Sequence, residues 1–114
     1  MKAATQPVES LSNGVWRALA DPTRRRILDL LRAEPRTTGD LAARFDMTRF
    51  AVMKHLEVLV DAGLVLVERR GRERWNHLNP VPIRELYRRW IRPFDAAPAD
   101  ALLRIKKAAE REDD

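Results

Sequence analysis

The stretch that most constrains the fold runs from Thr37 to Leu78. "TTGDLAARFDMTRFAVMKHLEVLVDAGL" is followed directly by "VLVERRGRERWNHL". Two short helical patterns stand back to back. Thr38 is suited to cap a helix over Gly39–Phe45, with Leu41, Ala42 and Phe45 turned inward. Thr48 is suited to cap a second helix over Arg49–Ala62, which Gly63 ends as a C′ residue. Val52, Leu56, Leu59 and Val60 form its apolar stripe, opposite Arg49, Phe50, Lys54, Glu57 and Asp61. "LVLVE" and "RWNHLN" then read as strands, and "RRGR" between them supplies a hairpin turn at Gly71.

The flanks are helical as well. Leu11, Val15 and Leu19, with Trp16 beside them, recur at helical spacing. Asp21 and Pro22 suit an N-cap and first helical position, so a second helix is expected over Pro22–Ala33 and ends before Pro35. Ile27, Leu28, Leu30 and Leu31 form its core face. A fifth helix starts near Val81 with Ile83, Leu86, Tyr87, Trp90 and Ile91 on one stripe, and Pro93 interrupts or kinks it. Leu102, Ile105 and Ala109 continue a stripe from about residue 98 to 111. The order predicts a mainly α winged helix-turn-helix, with a small β-hairpin and about five to six helices. The expected organisation is a loose tail over 1–9, a winged core over 10–80, terminal helices over 81–111 and an acidic tip at 112–114.

Composition narrows the chemistry. With 114 residues the chain fits one domain. It has no cysteine and only His55 and His77, which excludes thiolate metal sites and disulfides and leaves too few ligands for a His-only zinc site. No metal and no cofactor are expected. No segment approaches the roughly 18 apolar residues of a membrane span, and "MKAATQPVES" lacks the apolar run of a signal peptide, so cytoplasmic residence is the expectation. Net charge is +5; the last five residues carry −3, which leaves +8 on the rest. A basic body suits a polyanion such as double-stranded DNA.

In a helix-turn-helix the second helix lies in the major groove, with its first turn near the base edges. That places Thr48, Arg49, Phe50, Ala51 and Lys54 at the candidate interface, with Thr38 and His55 nearby. Arg49 is able to pair bidentately with guanine, for about 1–3 kcal/mol of discrimination. Phe50 either packs on thymine methyls or serves as a core aromatic under the turn. His55 is a packing or phosphate-contact residue. In the wing, Arg70, Arg72 and Arg74 suit phosphate or a narrow minor groove, the alternative being a charged edge that blocks sheet aggregation. Arg24, Arg25 and Arg26 oppose the dipole of their own helix, so they meet phosphate or pair with Asp21 or Asp29. Leu11, Val15, Trp16, Leu86, Tyr87, Trp90, Leu102 and Ile105 offer more apolar surface than a small core absorbs. They are the expected subunit interface of a homodimer.

"LADPTRRRILDLL", the helix-turn-helix segment and "RRGRERWNHLNP", in this order, resemble the ArsR/SmtB-type winged-helix repressors over about residues 11–80. "VMKHL" with "LNPVPI" is similar to a metal-independent branch. The resemblance implies a dimer built through its first and last helices that represses transcription at an inverted-repeat operator. It carries over to Thr48, Arg49, Phe50, Ala51, Lys54 and His55, and to Arg70, Arg72 and Arg74. The family more often has Ser or Gln at the positions of Arg49 and Phe50, and often Ser at Met53. Its metal sensors use a cysteine pair on the third helix, or Asp and His on the fifth. Neither "TGDLAARF" nor "VPIRELYRRWI" offers such ligands. The alternative is a winged helix that docks on protein without DNA, which would call for a neutral recognition face. No catalytic constellation is present in the sequence, so no enzyme is expected.

Overall fold

The computed structural model describes residues 8–112, with side chains from residue 13 onward. Six α-helices and three strands follow one another: α1 Val8–Leu19, α2 Pro22–Ala33, β1 Arg36–Thr37, α3 Thr38–Ala43, α4 Arg49–Asp61, β2 Val65–Arg70, β3 Glu73–Leu78, α5 Val81–Leu86 and α6 Ala99–Glu112. A π-helical turn, Tyr87–Ile91, and a 3-10 turn, Arg92–Ala96, join α5 to α6, with Pro93 inside the second. The expected tail begins to coil earlier than its sequence suggests, since α1 already includes Val8 and Glu9; the remainder of that tail lies outside the described residues.

Capping chemistry sets the boundaries. The Asp21 carboxylate accepts from the Arg24 amide at 3.0 Å, and Pro22 opens α2 where its missing N–H costs nothing. That bond, ahead of the nearby His55 and Arg24 charges, holds the Asp21 carboxyl below its ordinary pKa. Thr48 Oγ1 accepts from the Ala51 amide at 3.1 Å and starts α4. Gly63 closes α4 with φ +77°, a left-handed conformation that side chains resist.

At α3 the cap is Thr37, not Thr38: Thr37 Oγ1 accepts from the Asp40 amide at 3.0 Å. Thr38 is buried, and its hydroxyl accepts from Asn76 Nδ2 at 3.1 Å. Asn76 is wholly buried and also donates to the Arg36 carbonyl, tying β3 to the entry of α3. This contact belongs to a strand that sequence reading missed. β1 pairs with β3, Arg36 opposite Asn76 and Thr37 opposite Trp75, so the hairpin is part of a three-stranded antiparallel sheet of order β1-β3-β2.

The core lies where α1, α2, α3 and α4 converge on the base of the sheet. Ile27, Leu41, Val52, Leu56, Leu59 and Leu64 are fully enclosed there. Each such side chain contributes about 1.5–3 kcal/mol by leaving water. Val15 and Leu86 join them at 4% exposure, so these two are core residues and not free subunit-interface residues. Leu30 and Val60 pack at the edge of this cluster.

The C-terminal arm behaves differently. Tyr87, Trp90, Leu102 and Ile105 are all exposed, as is Trp16 of α1, and α6 buries none of its side chains. The radius of gyration is 19.1 Å, against about 13 Å for a compact domain near this length. The side chain of Leu11 lies outside the described residues.

Candidate nucleic-acid interface

α3 and α4 enclose the turn Arg44–Thr48, and α4 meets the base of the hairpin. The buried stripe Val52, Leu56 and Leu59 turns the opposite face of α4 outward. On that face Phe50, Lys54, Glu57 and Asp61 form an exposed ridge at spacings of three and four. Phe50 is 70% exposed, so it is no core aromatic. The Lys54 ammonium sits 5.0 Å from its ring centroid and 3.6 Å from the Glu57 carboxylate.

One flank of α4 faces the wing. Arg49 and Met53 line a cleft of about 370 Å³ with Thr37, Thr38, Gly39, Arg69, Arg72, Glu73 and Arg74. Four guanidinium groups thus border one hollow with a single carboxylate among them. Arg49, Arg69 and Arg72 make no ion pair or side-chain hydrogen bond among the described residues. The Arg74 Nε is enclosed without a partner.

Strand parity decides which wing arginines belong to the cleft. Val65, Val67 and Arg69 share one face with Arg74, Asn76 and Leu78 across the ladder, and that face looks toward the core. Arg70 lies on the other face. Its guanidinium donates to Glu68 at 2.8 Å and covers the Trp75 ring at 4.7 Å, while His77 Nε2 lies 2.9 Å from the same carboxylate oxygen. These two partners, Arg70 first, hold the Glu68 carboxyl below its ordinary pKa. The sequence favours DNA contact for the wing from Arg69 to Arg74, with its four arginines, and names Arg70 but not Arg69 among the contacts. The alternation Val65, Val67, Arg69, which starts from the buried Val65, was the signal. Arg72 stands in the two-residue turn with Gly71, whose φ of +61° fits the first position of a type II′ turn.

The remaining expected residues divide. Thr48 is exposed and engaged as a cap, and Ala51 is half-buried. Thr38 lies at the floor of the cleft, with its side chain buried and its hydroxyl accepting from Asn76. His55 sits half-buried on the opposite flank, with Nδ1 3.3 Å from Arg24 Nη1 and 3.7 Å from Asp21, and so packs α4 on the α1–α2 corner.

The arginine triplet also has a different task from the two that sequence suggested. Arg24 donates to the carbonyls of Ala18 and Arg17 at 2.8 and 2.9 Å, and Arg25 to that of Leu19 at 2.8 Å. They stand against the dipole of α2 but satisfy the C-terminal carbonyls of α1. Arg26 stacks over Phe45 at 5.0 Å. Asp29 pairs with Arg32 instead, at 3.5 Å.

Known proteins share this frame. A family model described as a helix-turn-helix domain matches residues 19–68. The transcriptional repressor SdpR of Bacillus subtilis (strain 168) is 36% identical over 73 residues, covering 64% of this chain and 81% of the relative. The solved structure of an ArsR-like transcriptional regulator from Rhodococcus sp. RHA1 superimposes with a TM-score of 0.68 at 30% identity, over 89% of this chain and 94% of that one. The chain belongs to the ArsR family of transcriptional regulators. It is a DNA-binding regulator with a winged helix-turn-helix fold. Another relative, a probable mercury resistance operon repressor of Streptomyces lividans, is 30% identical over 98 residues, covering 84% of this chain and 78% of the relative. No helix among the described residues is long and apolar enough to cross a membrane.

Proposed function

We propose that the protein is a homodimeric repressor that binds an inverted-repeat operator and senses no metal. The observation that carries the DNA surface is the cleft in which Arg49 of α4 meets Arg69, Arg72 and Arg74 of the wing. Phosphate is the natural occupant of such a hollow, because guanidinium groups match its oxygens bidentately. The ridge beside it then lies along the major groove. The proposed contact set is Thr48, Arg49, Phe50, Ala51 and Lys54 on α4, and Arg69, Arg72 and Arg74 in the wing.

The dimer reading is supported by the exposed apolar side chains of the arm. A helix with Leu102, Leu103 and Ile105 more than half exposed needs a covering surface, and a second copy supplies one with matched apolar faces. The metal-independent reading rests on the donor set. The chain has no cysteine, and no group of three or more His, Asp or Glu among the described residues stands close enough to hold an ion.

Selection of bound duplexes from a random library tests the whole reading at once. An enriched sequence with two-fold symmetry, bound equally with zinc or chelator present, is expected. Enrichment of nothing, an asymmetric single site, or a tenfold response to metal would each defeat the corresponding part. Trp90→Asp is expected to give monomers by light scattering, and a persisting dimer would move the interface elsewhere.

A further inference from the structure

Phe50 poses a problem that the DNA-binding reading alone does not solve. Phe50 is 70% exposed and is the one apolar member of a ridge whose other side chains, Lys54, Glu57 and Asp61, are charged. The ridge is also polarised. Its first half carries Phe50 and Lys54, and its second half carries Glu57 and Asp61. Phosphates repel the acidic half, so the first turn of α4 is the part that enters the groove, and Phe50 is exposed on that turn. The Lys54 ammonium over the ring limits the ring's freedom and places a cation beside it.

We infer that Phe50 is a specificity-determining residue that reads the C5-methyl of thymine, resting on the DNA-binding reading above. Every major-groove edge offers a hydrogen-bonding group: O6 and N7 of guanine, N4 of cytosine, N6 and N7 of adenine, O4 of thymine. A phenyl ring satisfies none of them, and desolvating an unpaired polar group against it is unfavourable. Thymine alone among the four bases presents a methyl group that the ring covers without that penalty. Arg49 lies on the adjacent flank facing the wing, so its guanine and the thymine of Phe50 are separate positions of one half-site.

The test uses the full chain and a duplex from the library selection. Each thymine is replaced in turn by 2′-deoxyuridine, which removes only the methyl. For the unmodified protein, one thymine per half-site is expected to show a loss of about fourfold in affinity, the transfer value of one buried methyl group. 5-Methylcytosine at that position is expected to bind better than cytosine. Phe50→Ala removes the uracil effect, Phe50→Leu keeps part of it, and Arg49→Ala leaves it intact. The assignment is overturned if uracil has no effect at any thymine of a duplex that the protein binds, if Phe50→Ala retains the full uracil penalty, or if the enriched half-site lacks thymine. Failure to bind any duplex defeats the DNA surface itself, which separates the two ideas.

Discussion

Two sets of arginines in this chain have opposite surroundings. Arg24, Arg25 and Arg36 are committed to the protein's own backbone, donating to the carbonyls of Ala18, Arg17, Leu19 and Leu30 at helix C-termini. Arg49, Arg69 and Arg72 border an open cleft with no side-chain partner among the described residues. The first set closes hydrogen bonds that the helices leave open. The second set holds charge in reserve. The difference shows why a count of basic residues misjudges a nucleic-acid surface: net charge sums both sets, and only the second is free to meet phosphate.

The comparison breaks most visibly at Arg24. Arg24→Ala removes two carbonyl contacts and the His55 contact, and is expected to lower the unfolding free energy by about 2–3 kcal/mol in urea titration. Operator affinity of the folded protein should be unchanged; a loss of affinity without a loss of stability would move Arg24 into the binding set. Arg49→Ala should do the converse. It is expected to weaken operator binding by about 1–3 kcal/mol and relax preference at one base position, with the urea midpoint unmoved. In the wing, Arg72→Ala should weaken binding to all sequences alike and flatten the salt dependence by about one unit in a log–log plot. Arg70→Ala, whose guanidinium is held by Glu68 and Trp75, should change that slope far less, and equal slopes for the two variants would contradict the strand parity.

The smallest expected effect concerns Asp40. Arg44 and then Arg36 hydrogen-bond its carboxylate and hold its pKa below the ordinary carboxylate range. Because the folded value is the lower one, the carboxylate's contribution is present in full above about pH 4 and is lost as pH falls through the depressed value. Asp40→Asn should therefore flatten the acid limb of the stability profile and leave binding at neutral pH intact. An unchanged acid limb would show that these pairs do not matter.

Much of the fold was legible because local signals agree with the tertiary outcome. α2 spans Pro22–Ala33 as expected, since Asp21, Pro22 and Pro35 all mark its ends. α4 begins at Arg49 because Thr48 has no rival as a cap. At α3, tandem threonines are locally equivalent, and the choice between them is made by Asn76, 38 residues away, which claims Thr38. β1 has two residues and no pattern of its own; its partner β3 defines it. The adjacent Val15 and Trp16 look alike as apolar residues, yet one is enclosed and the other exposed. Sequence spacing gives a stripe, but not which part of it the domain covers. Arg69 was recoverable from the parity of Val65 and Val67; the inward role of Arg24 was not, because its acceptors are backbone carbonyls.

The division between the two arginine sets is decided most directly by one titration. The variant Arg49→Ala/Arg69→Ala/Arg72→Ala is compared with the unmodified chain for affinity to a selected duplex at low ionic strength, alongside urea unfolding of each. The expected result is an unchanged unfolding midpoint with operator binding reduced by at least the about 1–3 kcal/mol of one lost base contact. Retained affinity in the triple variant, or an unmodified chain that binds no duplex at all, would contradict it.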